Sequence, residues 1–175
     1  MNKLIFLFSS VIFFFSCNLP ANNVSGKTDA YVPVYSSLSD AEQISVKPQQ
    51  PTKEAGKIYA FGNYIFQNDL NSGIHIIDNT NKNNPVKIAF LSIPFSTEIA
   101  VKGNYLYANN YVDLVVFDIT DPSSPKLVKR VSNVFPPANQ NYPPVNNAYF
   151  QCPDKSKGIV VRWEIKNVDI PNCRR

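Results

Sequence analysis

The sequence has a single histidine, His75. Any Ser-His-Asp or Cys-His arrangement would have to be built on it. It lies inside "GIHII", in the middle of an apolar run, where a packed structural histidine is the expectation. No phosphate-binding glycine loop is present. The loop "NDLNSG", Asn68 to Gly73, offers oxygen ligands but lacks the spaced carboxylates of an EF-hand. No metal and no cofactor is therefore expected. The net charge of +4 is not gathered into a dense basic run. Lys126, Lys129, Arg130 and the closing Arg174-Arg175 are the nearest clusters. Nucleic-acid binding wants a basic stripe with interleaved aromatics, and none is seen. Leu and Ala are sparse, and long helix-period stripes are absent. With fourteen prolines, a helical bundle is excluded, because each proline interrupts a helix interior.

What is abundant points to strands. Hydrophobic residues make up 44% of the chain and aromatics 13%, so a packed core is feasible. Most of the large apolar residues are Phe, Tyr, Ile and Val, which suit a pleated sheet. The expected class is all-β.

The N-terminus, "MNKLIFLFSSVIFFFSC", has one positive charge, Lys3, then an apolar block from Leu4 to Phe15. The block is short of the roughly 20 apolar residues that span a bilayer, so residues 1–16 read as a secretory signal. The ending "FFSC" resembles a bacterial lipoprotein cleavage box. That resemblance implies diacylglycerol on Cys17, with Cys17 as the mature N-terminus. Multiple acyl chains anchor stably because each buried CH₂ contributes about 0.8 kcal/mol. The expected address is the cell envelope, as an outer-membrane lipoprotein facing the periplasm or the surface. Residues 17–52 read as a tether and a short helix. The tether covers "NLPANNVSGKT", and the helix starts at "SDAE", Ser39 to Glu42, a capping-box pattern. The helix is expected to pack on the first repeat.

Export places the remaining cysteines, Cys152 and Cys173, in an oxidising compartment. There they read as one disulfide. Free thiols and a metal site are the alternatives, the latter short of the four ligands zinc prefers.

The main feature is a phrase written twice. Gly56 to Ile93 reads "GKIYAFGNYIFQNDLNSGIHIIDNTNKNNPVKIAFLSI", and Thr97 to Asn133 reads "TEIAVKGNYLYANNYVDLVVFDITDPSSPKLVKRVSN". Ile58 aligns with Ile99, and Gly62-Asn63-Tyr64 with Gly103-Asn104-Tyr105. Asp78 aligns with Asp118, and Pro85 with Pro125. The offset slips from 41 to 40 residues between Gly103 and Asp118, so one residue is lost in a loop. Each copy reads as four short strands, in the first copy Ile58–Phe61, Tyr64–Gln67, Gly73–Ile77 and Val86–Leu91. A period of about 40 residues with four strands is the pattern of propeller blades. Asp78 and Asp118 are expected to staple turns by accepting backbone N–H bonds. Pro85 and Pro125 would then fix the entry to the outer strand.

"DLVVFDITDPSSP", with "VKGNYLYA" before it, resembles the LVIVD repeat of β-propeller-like exported bacterial proteins. The first copy keeps the Asp, the Asn-rich turn and the Pro. The resemblance implies a fold and is nearly silent on function. It gives two four-stranded propeller-like blades over residues 53–133. Residues 134–175 follow as a Pro-rich connector and a C-terminal β unit, either a hairpin or a partial third blade. In that unit "GIVVRWEIK" alternates. Ile159, Val161, Trp163 and Ile165 fall on one face, with Arg162, Glu164 and Lys166 on the other. Tyr149 and Phe150 are expected to begin its partner strand.

No nucleophile–base pair is visible, so the expected role is a non-catalytic binding or interaction module. Its partner would be an envelope protein or a glycan, its membrane contact the lipid anchor. Self-association is a further expectation where a sheet edge stays uncovered. Candidate binding residues are Tyr107, Tyr111, Asp113 and Tyr142. Tyrosine offers apolar area and a hydroxyl at low entropic cost. The alternatives are a carboxylate-dependent hydrolase on a propeller scaffold, drawing on Asp113 or Asp69, and a truncated relic of a longer repeat protein.

Overall fold

A computed structural model describes residues 26–175. The signal segment, Cys17 and the start of the tether lie outside the described residues. The described chain is almost wholly β, in three sheets and one short helix.

The first copy forms β3 (Ala55–Phe61), β4 (Tyr64–Asp69), β5 (Gly73–Asp78) and β6 (Val86–Ser92). The second forms β7 (Ile99–Lys102), β8 (Tyr105–Asn110), β9 (Asp113–Asp118) and β10 (Lys126–Val131). Both are antiparallel meanders in the same register: Tyr64 faces Asp78 as Tyr105 faces Asp118. Gly62-Asn63 and Gly103-Asn104 are two-residue hairpin turns. Gly62 has φ +57° and Gly103 φ +55°, the left-handed region that glycine enters without penalty.

The two blades share one core. Phe66, Ile74, Ile76 and Leu91 of the first pack in one cluster with Leu106, Val115 and Phe117 of the second. Stacked blades present opposite faces to each other, so equivalent residues are not equally covered. Tyr64 packs against the shared core, whereas Tyr105 is exposed.

Four expectations about the strands are corrected. The first blade has a fifth strand, β2 (Ser45–Lys47), outside β6. The segment read as tether contains β1 (Lys27–Ser36), which belongs to the third sheet. That sheet also holds β11 (Tyr149–Phe150), β12 (Ile159–Asp169) and β13 (Cys173–Arg174), in the order β12-β1-β11-β13. So β11 and β12 are not partners in a hairpin. β1 lies between them, antiparallel to β12 and parallel to β11, and the result is a four-stranded third unit. Strict alternation on β12 also fails: Val160 and Val161 are both buried, and Ile165 is 62% exposed. A β-bulge breaks the alternation: Val34 faces Arg162 and Tyr35 faces Val160, so Val161 is the extra residue between them.

The helix α1 (Leu38–Glu42) is capped by Ser37, whose hydroxyl accepts from the Asp40 amide at 3.1 Å. Ser39 is therefore inside the helix, two residues past the cap. The helix is tied to the second blade and not the first. Asn110 Nδ2 donates to the Ala41 carbonyl at 2.7 Å, and Arg130 Nη2 to the Glu42 carbonyl at 2.8 Å. A helix of five residues is not stable alone; these side chains satisfy its free carbonyls.

Cys152 and Cys173 are bonded, with Cα atoms 5.4 Å apart. The bridge ties the segment after β11 to β13, its antiparallel neighbour.

A candidate binding cleft at the three-sheet junction

The recurring aspartates are turn staples. The Thr80 amide donates to Asp78 Oδ1 at 2.8 Å. At the matching place Thr120 donates its hydroxyl at 2.7 Å and its amide at 2.8 Å to Asp118 Oδ1. Three residues on, the staple repeats: the Asn83 amide donates to Asn81 and the Ser123 amide to Asp121. Pro85 and Pro125 then lead directly into β6 and β10. Hydrogen bonds from the threonine hydroxyl and then the amide hold both Asp78 and Asp118 below the usual carboxylate range.

Asp113 is placed by burial, not by a ligand. It is 3% exposed. Arg130 Nη1 donates to its Oδ2 at 2.7 Å and the Asn133 amide to its Oδ1 at 3.0 Å. Tyr142 is exposed but covered on its ring face by the Arg175 guanidinium, 4.0 Å from the ring centre.

Tyr111 lies elsewhere, in a cleft of about 260 Å³ where all three sheets meet. Asn71 comes from the first blade, Asn109 and Tyr111 from the second, and Val161 and Arg162 from β12. Phe95 and Thr97 enter from the linker between the blades, Phe135 and Pro136 from the connector after β10. The Phe95 and Tyr111 rings meet edge to face at 6.5 Å, and the Arg162 guanidinium lies over Phe95 at 5.8 Å. Burial pushes the Tyr111 phenol up in pKa, so it remains a neutral donor. Tyr107 is half-buried in an adjoining hollow of about 180 Å³, which shares Glu98, Asn109 and Phe135 with the cleft.

The cleft is held open by backbone as well as side chains. Asn109 Oδ1 accepts from the Thr97 and Glu98 amides, both at 2.8 Å, and its Nδ2 donates to the Phe95 carbonyl at 3.1 Å. Asn71, Phe95 and Tyr111 have φ of +63°, +60° and +54°. For Asn this is unexceptional; for two bulky aromatics it is strained. Tyr111-Val112 is the hairpin turn between β8 and β9. Tyr111 sits at the first turn position, which Gly62 and Gly103 occupy in the other hairpins.

Of the residues lining the cleft the sequence reading names Tyr111, with Tyr107 in the hollow beside it, and does not name Phe95, Phe135 or Arg162. Arg162 read as the outward face of a strand, and nothing in the residues around Phe95 signals its backbone. His75 is wholly buried, as is its partner Asp69, and neither enters the cleft. His75 Nε2 is 3.2 Å from Asp69 Oδ2, and Nδ1 is buried without a partner. His75 lies on β5, with the Phe90 ring of β6 at 4.8 Å from its own. Among the described residues no group of three or more His, Cys, Asp or Glu gathers as a metal site would require.

No curated protein and no solved structure matches the chain. The LVIVD repeat model matches residues 96–133, the span that builds β7 to β10 and carries Asp118 and Pro125. Over that span the second blade is similar to the LVIVD repeat.

Proposed function

We infer that the protein is a lipid-anchored component of the cell envelope that acts as a non-catalytic binding module, taking its partner in the cleft between the three sheets. The observation that carries this reading is the pair Phe95 and Tyr111. Backbone strain costs on the order of 1–3 kcal/mol per residue and persists where surroundings enforce it. Here two strained aromatics converge on one concave site, beside Arg162 and a polar wall of Asn71, Thr97 and Asn109. Apolar walls with a few fixed polar groups are what ligand sites are made of. A glycan ring or a side chain of an envelope protein suits such walls. The hydrolase reading lacks a comparable support: Asp113 and Asp69 are buried and already engaged by donors of the fold. The anchor rests on the "FFSC" box alone.

Crosslinking in native envelopes followed by capture of the full chain tests the binding role. Wild type is expected to retain a partner that the Tyr111→Ala/Arg162→Ala variant loses. Equal capture by both would remove the cleft from the proposal. Mass spectrometry of the exported protein tests the anchor, with acylated Cys17 expected at the N-terminus.

A further inference from the structure

The two blades serve as controls for one another, and they differ at one place that the fold does not require. At the ends of β4 and β8 the first blade has Asp69 and the second Asn110. On β5 and β9 the first has His75 and the second Val115. The first blade alone carries β2 and the connector from Pro48 to Glu54. That connector has no helix or strand, yet it is fastened at five points, one of them the Leu70 amide donating to the Glu54 carbonyl at 2.8 Å. Lys87 Nζ donates to the Gln50 carbonyl at 3.3 Å and to Thr52 Oγ1 at 2.6 Å. The Lys53 and Glu54 amides donate to Asp69 at 3.0 and 2.7 Å. Beneath it His75 Nε2 is a third partner of that carboxylate, 3.2 Å from Asp69 Oδ2. Between connector and blade runs a crevice of about 320 Å³ with Phe90 and Pro94 as apolar walls and Ser72 and Ser92 as hydroxyl donors. Lys47 and Lys53 stand at its rim, and among the described residues neither ammonium is paired with a carboxylate. Asp69 also lines it, but three donors already point at its two oxygens.

We propose that this crevice is a second binding site, taking a small ligand through an oxyanion group, phosphate or carboxylate, held by Lys47 and Lys53 and completed by the serine hydroxyls. Charge-assisted bonds to lysine are about twice as strong as neutral ones. A fastened rim avoids the ordering cost that a loose loop would add. The apolar wall at Phe90 admits the ligand's uncharged part. The crevice adjoins the central cleft, sharing Asn71 with it, but its lysines and serines are its own.

His75 is the sole histidine, and Phe90, on the crevice wall, is 4.8 Å from its ring. Its imidazole proton resonances therefore report the site without ambiguity. The experiment titrates the full chain, in nonionic detergent micelles, with inorganic phosphate and with acetate against chloride at equal ionic strength. A saturable shift with an oxyanion, weakened about tenfold by Lys47→Gln/Lys53→Gln, is expected; both lysines are exposed, so the variant folds. Competition by phosphatidylglycerol added to the micelles, and none by phosphatidylcholine, would assign the oxyanion to a lipid headgroup; no competition by either assigns it to a soluble ligand. A drift equal to that with chloride overturns the proposal, as does saturation unchanged in the lysine variant.

Discussion

His75 Nε2 lies 3.2 Å from Asp69 Oδ2, and neither side chain reaches solvent. The equivalent positions of the second blade are Val115 and Asn110, so a propeller-like blade folds without the pair. The pair makes stability depend on pH. Burial lowers the His75 pKa, and this outweighs the hydrogen bond and charge of Asp69, which raise it. In the unfolded chain the imidazole titrates near its ordinary value, about 6.5. The unfolded state then binds the proton more readily than the folded one. His75 therefore favours the native state fully above about pH 6.5 and loses that contribution as pH falls below it. Thermal unfolding followed by circular dichroism should show the midpoint dropping through this window, and His75→Val should flatten that drop. An identical slope in the variant would assign the effect to other groups.

Asp113 carries a second prediction. In the sequence it opens "DLVVFDITDPSSP", aligned with Gly73 of the first copy, and reads as a binding candidate. The structure gives its carboxylate to Arg130 and to the Asn133 amide. Asp113→Ala leaves a half-buried guanidinium and a backbone donor without their acceptor, at a cost of about 3 kcal/mol. Arg130 also holds the helix through the Glu42 carbonyl, so the loss spreads beyond β10. Urea denaturation reads the cost. Capture of a partner in the cleft should survive at temperatures where the variant stays folded.

The sequence and the fold agree best where interactions are local. The Asp78 and Asp118 staples, the Gly-Asn turns and the meander of each copy rest on contacts within a few residues, and repetition marks them twice. β1 is a different case. "KTDAYVPVYS" has no clean alternation, and its partners lie more than a hundred residues away, with Lys27 opposite Asp169 and Ser36 opposite Ile159. Only the fold reveals that pairing. The cleft is split in the same way. An aromatic loop residue, Tyr111, could be suspected from its type, but Phe95 and Arg162 become site residues only once the third sheet is in place.

That dependence can be tested. Deleting residues 27–36 removes the central partner of β12. Backbone amides of residues 159–169 should then exchange with solvent at rates near those of an unfolded segment. The β4, β5, β8 and β9 amides sit in the shared core of the blades and should keep their protection. If β12 stayed protected, the third sheet would have a support other than β1. Because Val161 and Arg162 line the cleft, the deletion should also abolish partner capture.

Tyr111 brings stability and binding into opposition. Its φ of +54° places a ring-bearing residue where the chain's other two-residue turns use glycine. For an L-residue that conformation costs roughly 1–2 kcal/mol, a penalty absent for glycine. Tyr111→Ala keeps the strained backbone and loses the ring, including its edge-to-face contact with Phe95. Tyr111→Gly loses the same ring and releases the strain. The glycine variant should therefore exceed the alanine variant in stability by about 1 kcal/mol in chemical denaturation. Both should bind equally poorly, because both lack the aromatic wall and the phenol donor. If the glycine variant instead retained its partner, the ring would be a packing element and the strain would serve the turn alone. If alanine matched glycine in stability, the left-handed turn would be relaxing in the variants, and the argument from strain to site would fail at its first step.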